Sequence, residues 1–110
     1  MTEKHYIREG LANMWKGKEG VGGKLYLSSE MLHHKPHAIN FQREETYLPL
    51  TDISKVERER SRLLGLPLIN NGLKVTTHEG HEVRYVVNKA GEWVDAIERA
   101  AAEAKKQIVI

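Results

Sequence analysis

The stretch LKVTTHEGHEVRYVV, residues 73–87, decides how the chain is read. Leu73, Val75 and Thr77 alternate onto one face, as do Val83, Tyr85 and Val87. Bringing the two apolar faces together requires paired residue numbers to sum to an even value. A two-residue turn at Glu79-Gly80 fails, because it sets Val75 against Arg84. A three-residue loop, His78-Glu79-Gly80, with Gly80 in the left-handed position of a bulge, succeeds. It sets Thr77 against His81, Val75 against Val83 and Leu73 against Tyr85.

Downstream, residues 88–107 read as one amphipathic helix. Trp93, Ala96, Ile97, Ala100, Ala101 and Ala104 recur at spacings of three and four, which makes one apolar stripe with a single large anchor. Asn88 is the expected N-cap, Glu92 and Asp95 lie near the positive end, and Lys105 and Lys106 near the negative end. An Asp95–Arg99 pair contributes only ~0.3–0.5 kcal/mol, so burial of Trp93 and Ile97 dominates the helix's stability.

Upstream, short strands are expected. Residues 11–15 form the first, 16–23 a turn rich in glycine and lysine, and 24–27 the second, with Leu25 and Leu27 on one face and Lys24 and Tyr26 on the other. A four-residue loop at 28–31 places Leu27 opposite Leu32. Pro36 ends the third strand. Pro49 confines 45–50 to a sheet edge or strand end. Residues 51–53 form a corner and 54–60 a charged strand in which Val56 is the main apolar contact. In 61–72, leucines are interrupted by Gly65 and Pro67, which suits a broken segment lying against the sheet. The division expected is an arm at 1–10, one domain at 11–107 and a tail at 108–110.

With 110 residues the chain fits one domain burying roughly two-thirds of its unfolded surface. The absence of cysteine excludes disulfides and thiolate metal sites and suits a reducing cytoplasm. No apolar run approaches the ~20 residues of a membrane helix. The net charge is +2, with both signs interleaved as in 55–60, and aromatic residues make up only 6%. That pattern describes a solvated face and gives no base-stacking track, so no nucleic-acid partner is expected. No nucleophile elbow, HExxH, P-loop or dinucleotide fingerprint occurs, so the chain is not expected to be an enzyme or to need a cofactor.

Gly22-Gly23-Lys24-Leu25-Tyr26-Leu27-Ser28, then Leu32, then Tyr47-Leu48-Pro49-Leu50-Thr51-Asp52-Ile53, the 73–87 hairpin and Glu92-Trp93 resemble the GRAM family in residues and spacing. The resemblance spans roughly residues 11–101 and is to the small stand-alone bacterial members. It implies a mainly β pleckstrin-homology-like barrel, in which two near-orthogonal antiparallel sheets of about seven strands are capped by the C-terminal helix. It also implies a non-catalytic binding module that engages a protein or an anionic lipid surface through its rim loops, peripheral to the membrane.

Within that resemblance, Lys16, Lys18 and Lys24 flank the turn where phosphoinositide-binding pleckstrin-homology domains place basic residues. Such domains carry an arginine two positions after the second-strand lysine, where this chain has Tyr26, and Glu19 offsets one charge. Leu63, Leu64, Leu66 and Ile69 form a candidate interaction loop, and self-association through this segment or a sheet edge is the alternative reading. His33, His34 and His37 do not make an expected metal site, because neighbours in a strand face opposite ways and Pro36 intervenes.

Overall fold

The computed structural model describes residues 6–16, 19–37, 44–60, 62–63, 66–67 and 71–107, the side chains at 16, 19, 62–63 and 66–67 excepted. The strands are β1 (Arg8–Lys16), β2 (Glu19–Leu27), β3 (Met31–Pro36), β4 (Thr46–Pro49), β5 (Ile53–Glu59), β6 (Arg62–Leu63), β7 (Leu66–Pro67), β8 (Gly72–Thr77) and β9 (Glu82–Val87). A 3₁₀ turn, Leu50–Asp52, joins β4 to β5, and the helix α1 (Ala90–Lys106) comes last. Seven strands make one antiparallel sheet in the order β4-β3-β2-β1-β9-β8-β5, while β6 and β7 pair only with each other.

That sheet consists of two halves. β1 pairs with β2 along its whole length, from Arg8 opposite Leu27 to Lys16 opposite Glu19. With β9 it pairs only through Ala12, Met14 and the residue between them. The 3₁₀ turn ties the halves again elsewhere: Leu50 N–H donates to the Glu30 carbonyl at 2.9 Å, and His78 N–H to the Asp52 carbonyl at 2.9 Å. The β8–β9 hairpin has the even-sum register, with Leu73 opposite Tyr85 and Val75 opposite Val83. Thr77 N–H donates to the His81 carbonyl, and Gly80 has φ +91°, the left-handed bulge position.

The inner faces of both halves converge on the helix. Leu25, Leu27 and Leu32 from one half, Leu73, Val75 and Tyr85 from the other, and Trp93, Ile97, Ala100 and Ala101 from α1 share one buried cluster. Trp93 is 1% exposed, and the Arg8 guanidinium lies 5.3 Å from its ring centroid while bonding Glu92 at 3.1 Å. At the other end of α1, Lys105 Nζ donates to the Ile53 carbonyl at 2.6 Å. The helix is thus fastened to β1 near its start and to β5 near its end. His34 is also buried, and its Nε2 donates to the Ala12 carbonyl at 3.0 Å. The Tyr85 hydroxyl is buried without a hydrogen-bond partner among the described residues, and burial pushes its pKa well up.

Several expectations are corrected. β1 begins at Arg8 and runs to Lys16, longer than the expected 11–15 strand. The glycine-rich 20–23 stretch belongs to β2 rather than to a turn. Its alternation explains this: Val21 is buried in the core, and Gly23 lies so close beneath β3 that a Cβ there would sit 2.2 Å from the Lys35 carbonyl oxygen. The N-cap is Lys89, in the left-handed region at φ 58° and without a side-chain cap bond, so Asn88 does not cap the helix. The Lys89 carbonyl instead accepts from Glu92 and Trp93 N–H. Among the described residues no ion pair joins Asp95 to Arg99, and Glu103 with Lys106 supplies the pair within the helix. Within 61–72 two short strands pair antiparallel, Arg62 opposite Pro67 and Leu63 opposite Leu66, so Pro67 lies in a strand.

Replacing Trp93 by alanine is expected to cost ~3–5 kcal/mol of stability, read by denaturant unfolding. Tyr85→Phe removes the unpartnered hydroxyl and is expected to raise stability by about 1 kcal/mol in the same measurement. A loss there would show that the hydroxyl is bonded in solution.

Candidate functional site

The first four strands present their other face to solvent, and their registers arrange it as rows across the sheet. Ile7, Ser28, Met31 and Pro49 begin it, on the pairings Ser28 with Met31 and Met31 with Pro49. Next come Glu9, Tyr26, His33 and Tyr47, which are register partners. Leu11, Lys24 and Lys35 follow, then Asn13, Gly22 and His37, and finally Trp15 over Gly20. Successive rows lie ~7 Å apart.

Lys24 and Lys35 are therefore directly opposite one another, an arrangement that repels unless a negative charge intervenes. Glu9 supplies part of that charge, 3.7 Å from Lys24 Nζ. Lys35 has no carboxylate within ion-pairing distance among the described residues. Beside the lysines, Gly20 and Gly22 carry no side chains, and neighbouring side chains fill the space above them: the Trp15 ring would lie 3.8 Å from a Cβ at Gly20. Asn13 and His37 lean over Gly22, their atoms 3.2 Å and 3.4 Å from where its Cβ would be. A cleft of about 250 Å³ adjoins these residues, lined by Leu11, Asn13, His37, Asn71, Val86 and Asn88 among others. Two cations, amide and imidazole donors and a recess fit an anion with polar substituents.

The neighbouring row is aromatic. Tyr6 packs tilted against Tyr26 at 4.7 Å between ring centroids, while Tyr26 stacks on His33 at 5.5 Å and His33 on Tyr47 at 4.3 Å. Glu45 closes the row, bonded to His33 Nε2 at 2.5 Å and accepting from the Tyr47 hydroxyl at 3.1 Å. The His33 hydrogen bond holds the Glu45 carboxyl below the ordinary carboxylate range, and the Glu45 bond raises the Tyr47 hydroxyl. A depressed carboxyl pKa means that this clamp is complete at neutral pH and is lost as pH falls through the carboxylate range.

Of the residues singled out in the sequence, Lys24 lies on this face. The backbone of Lys16 ends β1 opposite Glu19, which directs the β1–β2 connection away from the Arg8–Leu27 end where α1 begins. Lys18 and the Lys16 side chain lie outside the described residues, as do Leu64, Ile69 and the side chains of Leu63 and Leu66. His33 and His34 face opposite sides of the sheet, the first on the outer face and the second in the core. Lys35 and Asn13 were not singled out, and His37 was considered only as a metal ligand. Their signal was present: the register that sets Leu27 opposite Leu32 also sets Lys24 opposite Lys35.

No family model matches the chain, and no curated protein matches its sequence. Solved structures do. The C-terminal domain of an unknown protein from Leishmania infantum is similar with a TM-score of 0.73 at 11% identity, over 90% of this chain and 85% of that one. The Vps36 N-terminal PH domain is similar with a TM-score of 0.69 at 18% identity, over 94% and 83%. The Slm1-PH domain, in complex with phosphoserine, gives 0.67 at 15% identity, over 88% and 96%. At these identities the likeness is one of fold, and the fold of this chain is that of a pleckstrin-homology domain.

Proposed function

We propose that this domain is a non-catalytic binding module that docks on an anionic, phosphate-bearing lipid surface. The observation that carries the reading is the opposed pair Lys24 and Lys35 on the outer face, beside the polar groups of Asn13 and His37 over Gly22. Lys16 and Lys18 fall in sequence at the end of β1 and in the connection to β2, the strand that carries Lys24. The similar Slm1-PH domain is described in complex with phosphoserine and with inositol-4-phosphate, which supports a phosphate-bearing ligand here. No helix among the described residues is long and apolar enough to cross a membrane, so attachment of this kind is peripheral. Each lysine near an anionic leaflet contributes ~1 kcal/mol, so the attraction is modest and is screened by salt over ~10 Å at 0.1 M. The GRAM resemblance agrees with such a role.

Self-association as a structural unit is less favoured. Of the two sheet edges, β4 is four residues long and ends in Pro49, and β5 is charged and bulged between Ile53 and Lys55. All of these features discourage edge pairing. A concentration-independent monomer is expected in light scattering.

Sedimentation with vesicles tests the reading. Binding is expected with anionic lipid at low salt, weakening as salt rises. Lys24→Glu with Lys35→Glu should abolish it while leaving the melting temperature within a few degrees. Equal binding to neutral and anionic vesicles, or none at low salt, would reject it.

A further inference from the structure

The large hydrophobic side chains that are exposed among the described residues are Tyr6, Ile7, Leu11, Met31 and Tyr47. None comes from β5, β8, β9 or α1. Leu11, Met31 and Tyr47 stand on the outer face of β1, β3 and β4, and Tyr6 is packed onto it through Tyr26. Leu11, 64% exposed, is the register partner of Lys24. Apolar groups and the opposed lysines, of which Lys24 is paired with Glu9, are thus interleaved on one side of one half of the sheet.

We infer that this outer face, rather than the rim loops alone, is laid against the lipid, with Leu11, Met31 and Tyr47 entering the headgroup layer around Lys24 and Lys35. The inference rests on the function proposed above and adds its orientation. Charge complementarity selects the occupant. The cations meet anionic headgroups, while tyrosine and aliphatic side chains gain from the boundary between headgroups and acyl chains. The carboxylates Glu9 and Glu45 are engaged by Lys24 and by His33 with Tyr47, so they oppose the approach less than free acids would.

Trp15 reports directly on this geometry. It stands on the outer face over Gly20, whereas Trp93, the chain's other tryptophan, is sealed in the core. The full chain is mixed with phosphatidylcholine vesicles containing phosphatidylserine and acyl chains brominated near the headgroup. Quenching of tryptophan emission is expected, and Trp15→Phe should remove it. Leu11→Ser with Met31→Ser, both exposed and so without effect on melting, should lower vesicle partitioning roughly tenfold. Sedimentation with unquenched Trp15, or with partitioning unchanged in the double variant, overturns the orientation and leaves the docking function standing. Absence of sedimentation with anionic vesicles at low salt overturns both.

Discussion

Burial of Trp93 is the interaction on which the rest of the structure depends. The two halves of the sheet share only a three-residue seam between β1 and β9, too few hydrogen bonds to fix how they face each other. Trp93 lies beside Gly10 of β1, where a Cβ would meet its ring at 3.7 Å, and the helix that carries it packs on β5, β8 and the 3₁₀ turn. One side chain therefore bridges what the backbone joins weakly. Arg8 over the indole and Lys105 on the Ile53 carbonyl keep the helix from sliding along that bridge.

This division of labour leaves the outer face of β1–β4 free of structural duty. Inner positions hold leucine, valine and a bonded histidine. Outer positions hold a mixture that stability alone does not require: opposed lysines, glycines, a tyrosine–histidine stack and an exposed leucine. A pleckstrin-homology fold by itself assigns no ligand. The content of this face is what distinguishes one use of the fold from another.

Much of the architecture was legible from alternation and turn chemistry. The 73–87 hairpin could be solved to the residue because its apolar faces admit one parity and Gly80 one bulge. The edge placement of Thr46–Pro49 followed from Pro49's missing donor, and the buried stripe of α1 from its period. What was misread has a common cause. Glycines at 20–23 look like a turn when taken as local flexibility, yet they reflect what lies above them, and neither Trp15 nor the Lys35 carbonyl is a sequence neighbour. Asn88 looks like a cap, but the chain leaves β9 through a left-handed Lys89 that sequence propensity does not advertise. The candidate site was legible only in part for a similar reason. Lys24 could be picked out by its turn, whereas Lys35 acquires meaning only when the register places it opposite.

The helix that holds the halves together is also the last described element of the chain. Until it has been synthesised, neither half's inner face has Trp93 and Ile97 against it, and the seam joins Ala12 to a residue as distant as Val87. Such long-range closure is slow and leaves apolar surface exposed in the meantime. Before the helix has formed, the apolar faces it covers are open to aggregation and to chaperone capture.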